Sequence, residues 1–270
     1  EVSAFVSPRW VPQLADAAAV FGGITRQKGV DYSALVPNQH GLERAIEARV
    51  DKAAVFTAAS ETFNRKNINA STEESLRRFI PVTALAQREN LPVRGYVSAA
   101  FWCAFEGQIP PAAAVEVAER LIDIGVVEVS VSDTIGKATP EEVKRLLDLL
   151  LIRVPPERIA MHFHDTYGRA TDNVRAAWAH GIRTFDASVG GLGGCPYAPG
   201  ATGNVATEAV VEALATVGEN VDVDRRKLFQ ARHLLAPYVT NQRRILPEID
   251  LPACASCEHA KGQTCCRQRA

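Results

Sequence analysis

Val126-Val127-Glu128-Val129-Ser130-Val131-Ser132-Asp133 and Ile159-Ala160-Met161-His162-Phe163-His164-Asp165 read as two β-strands with a helix between them. Each is a short run rich in β-branched or apolar residues, of the length that a buried strand takes. Between them Thr139, Pro140 and Glu142 write a helix start: a capping hydroxyl, a proline at the first helical position and a glutamate placed to reach back. Strand, helix, strand is the unit of a parallel sheet.

The same alternation runs outward in both directions. Strands are predicted near residues 1–6, 34–37, 53–58, 93–98, 126–133, 159–165 and 184–189. Ser71 with Glu74, followed by Leu76, Phe79 and Ile80, opens one helix; Pro110-Pro111 opens another that runs through Val115, Val117, Leu121 and Ile122 to a stop at Gly125. Seven alternating units predict an α/β fold, an eight-stranded (β/α)8 TIM barrel whose first strand and helix are lacking in this chain. An open doubly wound sheet is the alternative. The barrel domain is expected over residues 1–246, with a cysteine-rich tail over 247–270.

Composition narrows the function classes. With 47% hydrophobic and 23% charged residues, the 270-residue chain has the make-up of a globular protein and not of a disordered or fibrous one. Thirty basic residues nearly cancel 31 acidic ones, so no global field draws it to nucleic acid or to an anionic membrane. A small molecule is the expected ligand. No apolar run approaches the roughly 18 residues needed to span a bilayer. Glu1-Val2-Ser3-Ala4-Phe5-Val6 holds neither an initiator methionine nor the regions of a signal peptide, and it reads as the end of a strand. A segment preceding Glu1 is therefore expected in the natural protein. Six cysteines, four of them crowded into the end, do not make a disulfide scaffold, and the reducing cytoplasm is the expected compartment.

Two segments carry chemistry. Side chains alternate along a strand, so His162 and His164 share a face at the carboxyl end of theirs, where barrel enzymes keep their sites and two imidazoles can grip one metal ion. Satisfied core histidines are the other reading. After the last strand, residues 188–204 hold six glycines, one thiol (Cys195) and one amide (Asn204). No Gly-Lys-Ser/Thr follows and no G-x-G-x-x-G opens the loop, so it is neither a P-loop nor a dinucleotide fingerprint. A flexible turn with a buried cysteine is the bland alternative.

Together with EVSAFVSPRW (1–10), ETFNRKNIN (61–69), RGYVS (94–98) and SDTIG (132–136), the motifs HFHDTYG (162–168) and GLGGCPYAPGATGN (191–204) resemble the 3-hydroxy-3-methylglutaryl-CoA lyase family of metal-dependent barrel lyases and synthases. The likeness extends to about Leu214 and fades beyond Thr240. It implies that His162, His164 and Asn204 bind a divalent cation, Mg²⁺ or Mn²⁺, with a further aspartate ligand and an arginine from a strand preceding Glu1. Nitrogen and oxygen donors with open positions suit octahedral Mg²⁺ or Mn²⁺ better than closed tetrahedral Zn²⁺.

The resemblance also implies that Cys195 protonates the departing acetyl-CoA enolate. Glu1 and Asp133, at the carboxyl ends of their strands, and Glu208 match acidic positions that support activity; capping the next helix is the other reading of Asp133. Arg65, Lys66 and Asn67 stand where the family receives CoA, with a solvated helix end as the alternative. The chain departs from the family at Phe101 to Gly107, in place of a Gly-Cys-Pro-Tyr-Glu-Gly segment, and at Ala209, a position often acidic.

The implied activity is cleavage of 3-hydroxy-3-methylglutaryl-CoA into acetyl-CoA and acetoacetate, as in leucine degradation and ketone-body formation, by a homo-oligomer, expected as a dimer. The site would be cytoplasmic in a bacterium or the mitochondrial matrix in a eukaryote. Other readings are a lyase for another branched acyl group such as citramalyl-CoA, a synthase condensing acetyl-CoA with a 2-oxo acid, and a non-enzymatic metal or thiol binder on a degenerate barrel. In the tail, Cys254, Cys257, His259, Cys265 and Cys266 admit a zinc site, intermolecular disulfides or an unstructured thiol-bearing end.

Overall fold

A computed structural model describes residues 1–194 and 203–238. Its strands are β1 (Ser3–Ala4), β2 (Ser33–Leu35), β3 (Lys52–Ala58), β4 (Val93–Ser98), β5 (Trp102–Cys103), β6 (Gly107–Gln108), β7 (Glu128–Asp133), β8 (Ile159–Phe163) and β9 (Thr184–Asp186). The helices are α1 (Ala17–Gly23), α2 (Gln39–Glu47), α3 (Glu61–Ile68), α4 (Thr72–Arg88), α5 (Pro111–Asp123), α6 (Pro140–Leu150), α7 (Ala170–Ala179), α8 (Thr207–Ala215) and α9 (Arg225–Leu235). By internal contacts the chain divides into two compact units, Glu1–Val223 and Asp224–Ala270. The second is described as far as Tyr238; its helix α9 is capped by Asp224, which accepts from the backbone N–H groups of Arg226 and Lys227.

Seven strands of the first unit form one parallel sheet in the order β1-β2-β3-β4-β7-β8-β9. A doubly wound sheet would reverse its order partway; this one never does, which is the progression of a barrel wall. Ion pairing shows the curl. Arg94 on β4 reaches Asp186 on β9 at 2.7 Å, although three strand steps, about 14 Å if flat, separate them. Only a sheet bent toward its own inner face brings them together.

Register assigns the two faces. Ala53, Val55, Val93, Val97, Val129, Val131, Met161 and Phe163 point outward to the helices and are buried in one continuous core. Leu146, Leu147 and Leu150 of α6 join them fully buried, each worth about 1.5–3 kcal/mol of transfer free energy. Both expected capping boxes are formed, Ser71 with Glu74 at α4 and Thr139 with Glu142 at α6. The segment from Phe101 to Gly107, where the chain departs from the family pattern, builds the small antiparallel pair β5–β6.

Candidate active site

The inner face of β4, β7, β8 and β9 is polar. Arg94 lies between two carboxylates, with Nε 2.7 Å from Glu128 and Nη2 donating to Asp186 at 2.7 Å. Ser130 donates to the second oxygen of Asp186 at 2.8 Å, and His162 Nδ1 faces that same oxygen at 3.3 Å. Burial alone would raise the Asp186 pKa. The His162 hydrogen bond, the Arg94 charge and the Ser130 hydroxyl overcome it and hold the group at about 2. The carboxylate is ionised at any physiological pH.

His164 follows β8 directly, on the same side as His162, with ring centroids 5.2 Å apart. Burial first and the neighbouring imidazole second lower its pKa to about 4, so the ring is neutral and keeps a lone pair. It is bridged to Asn204, and the Asn204 side chain hydrogen-bonds the imidazole. Asn204 Nδ2 donates to the Leu192 carbonyl at 2.8 Å, which directs its amide oxygen away from that carbonyl. His164 Nδ1 is buried with no hydrogen-bond partner, an arrangement that costs free energy unless a ligand meets it.

Two glycines hold this corner. Gly136, at φ +70°, passes so close to β8's end that a Cβ there would sit 2.8 Å from the His164 carbonyl oxygen. Gly203, at φ +87°, would drive a Cβ into the Gly193 carbonyl oxygen. The loop after β9 thus leaves and returns at adjoining points, and Asn204 N–H closes it on Gly193 at 3.2 Å.

The other candidate residues are dispersed around this centre. Asp133 has the opposite parity to Ser130 and points outward; its oxygens accept from the N–H groups of Lys137 and Ala138 at 3.0 and 2.9 Å. Burial pushes its pKa up to about 7 against those bonds. Glu1, expected at a strand's carboxyl end, stands two residues before β1, and its carboxylate accepts from the Tyr96 hydroxyl at 3.4 Å. Glu208 accepts from Gly190 N–H at 3.0 Å and so ties α8 to the start of the glycine-rich loop. Arg65, Lys66 and Asn67 are exposed on the last turn of α3, where Arg65 lies 4.0 Å from Glu74 and Lys66 Nζ stands 4.8 Å over the Phe105 ring. Cys195 and the tail from Pro247 lie outside the described residues.

Among the described residues no group of three His, Cys, Asp or Glu side chains is placed to hold a metal ion. The donor set on offer is two imidazoles and an amide oxygen. Their clustering and the unpartnered His164 nitrogen fit a divalent cation taking further oxygen ligands. Asp186 and Arg94 escaped the motif reading. Strand alternation was the available signal: Thr184-Phe185-Asp186 puts an acid on the inner face of a strand, and Arg94 heads the RGYVS match.

The HMGL-like family model matches residues 10–235. A relative from Rattus norvegicus, 3-hydroxy-3-methylglutaryl-CoA lyase, cytoplasmic, is 50% identical over 86% of this chain and 67% of its own length. Hydroxymethylglutaryl-CoA lyase from Pseudomonas mevalonii is 46% identical over 96% of this chain and 86% of its own. The crystal structure of the HMG-CoA lyase from Brucella melitensis superposes with a TM-score of 0.82 at 50% identity, covering 84% of this chain and 81% of that one. With a family model over most of its length and relatives of that identity, a curled parallel sheet and a histidine pair at its carboxyl edge, this chain belongs to the HMGL-like family.

Proposed function

We propose that the protein is a carbon-carbon lyase that cleaves 3-hydroxy-3-methylglutaryl-CoA into acetyl-CoA and acetoacetate, working in the cytoplasm where its thiols stay reduced. The observation that carries the reading is the cluster of His162, His164 and Asn204 at the carboxyl edge of a barrel wall, in a chain of this family. These three residues would hold Mg²⁺ or Mn²⁺. Such a cation, when bound, lowers the pKa of a hydroxyl it touches and fixes its geometry.

The chain's own groups do the rest. His164 is kept neutral by burial and so stays a lone-pair donor. The substrate's tertiary hydroxyl gives up its proton to water, the carbon-carbon bond breaks, and its electrons leave on the acetyl-CoA fragment as an enolate while the alcohol carbon becomes a ketone. Cys195, the residue after Gly194, would deliver the proton that the enolate carbon needs: a thiol near pKa 8.5 is mostly protonated at neutral pH yet acidic enough to donate. Asp133 is engaged by loop N–H groups and serves to hold the β7–α6 connection beneath His164. Arg65, Lys66 and Asn67 would face the CoA phosphates from α3.

The test is product formation. With Mg²⁺ or Mn²⁺ the protein should release equal amounts of acetyl-CoA and acetoacetate, and chelator should abolish both. Faster turnover of citramalyl-CoA would move the assignment to that acyl group. His164→Ala should lose bound metal and turnover together; unchanged metal content would remove His164 from the ligand set.

A further inference from the structure

His162 and His164 look equivalent in sequence but have different neighbours. His164 Nδ1 is buried without a partner, whereas His162 Nδ1 faces Asp186 Oδ2 at 3.3 Å. That carboxylate is clamped from behind, by Arg94 Nη2 at 2.7 Å on one oxygen and the Ser130 hydroxyl at 2.8 Å on the other. A carboxylate bonded to a guanidinium is ionised and has only lone pairs to offer. The ring atom facing it must therefore donate, which places the hydrogen of a neutral His162 on Nδ1 and the lone pair on Nε2.

We infer that Asp186 is a positioning residue, which sets the tautomer and ring angle of His162 so that Nε2 is presented as a ligand, with Arg94 and Ser130 holding the carboxylate in place. The inference rests on the cation reading above and deepens it. Charge balance alone does not account for Asp186, since Glu128, 2.7 Å from Arg94 Nε, already supplies a counter-charge. What Asp186 adds is a fixed acceptor opposite one ring nitrogen, the arrangement by which outer carboxylates orient metal-binding imidazoles.

Nitrogen-15 spectra of the metal-free protein at about pH 8, where imidazoles are neutral, read the tautomer directly. The His162 signal, assigned by its loss in His162→Gln, should be that of the Nδ1–H form. Asp186→Asn, whose amide can donate as well as accept, should give a mixed or Nε2–H signal and weaken Mn²⁺ binding about 10- to 100-fold. Ser130→Ala, which leaves the acceptor opposite Nδ1, should keep the Nδ1–H signal. An Nε2–H signal in the unaltered protein overturns the inference without any variant, so a failure of Asp186→Asn to fold does not shelter it. Unchanged tautomer and Mn²⁺ affinity in folded Asp186→Asn overturn it as well. If the unaltered protein shows the Nδ1–H form, lost in Asp186→Asn, yet binds no Mn²⁺, the cation reading fails and the Asp186–His162 pairing stands.

Discussion

The two walls of the barrel lumen are built on opposite principles. On β1, β2 and β3 the inward residues are Ala4, Leu35, Ala54, Phe56 and Ala58; on β4, β7, β8 and β9 they include Arg94, Tyr96, Glu128, Ser130, His162 and Asp186. The first wall presents apolar side chains with no charge or hydrogen-bonding group among them, and one apolar residue can replace another there. The second is held by partnership, and removing one member strands the rest in a half-buried site.

Breaking the polar wall should therefore cost most. Arg94→Met leaves Glu128 and Asp186, each side chain 17% exposed, without the guanidinium that pairs with both. A loss of about 3–5 kcal/mol in urea denaturation is expected. A loss under about 1 kcal/mol would show that the charges on this wall are independent. Cys195→Ser replaces the proposed acid with a far weaker one and should lower turnover by about 10², or about 2.7 kcal/mol, with Mn²⁺ affinity unchanged. Near-normal turnover in a protein of lowered melting temperature would instead make Cys195 structural.

Gly136→Ala sharpens the comparison at the edge of the polar wall. A side chain at φ +70° costs about 1–2 kcal/mol, and here it also presses on the His164 carbonyl. Melting temperature and Mn²⁺ affinity should fall together; a fall in stability alone would separate the turn from the site. On the apolar wall, Phe56→Leu should cost only about 1 kcal/mol in the same denaturation assay and leave the metal affinity untouched. Removal of the tail from Pro247 should have the smallest effect, turnover staying within a few-fold, since the proposed ligands and acid all precede Glu208.

The sequence makes the strands and helix caps legible and hides much of the partnership. All seven strands of the sheet stand within or beside the runs of β-branched or apolar residues that predict them, and the capping boxes at Ser71 and Thr139 form as their spacing predicts. The histidine pair was readable because alternation within one strand is local. The tie between Arg94 and Asp186 was not, because it joins residues 92 positions apart and depends on the curl of the sheet.

That 92-residue tie also sets an order of events in folding. Each strand of a sequentially ordered sheet can dock on its predecessor as the chain is completed, but the carboxylate opposite His162 sits on β9, the last strand to arrive. Contacts of such long sequence separation form late, because the loop must close before they return anything. A chain stalled before that step would have its helices and most of its core, and two histidines with nothing to orient the first of them.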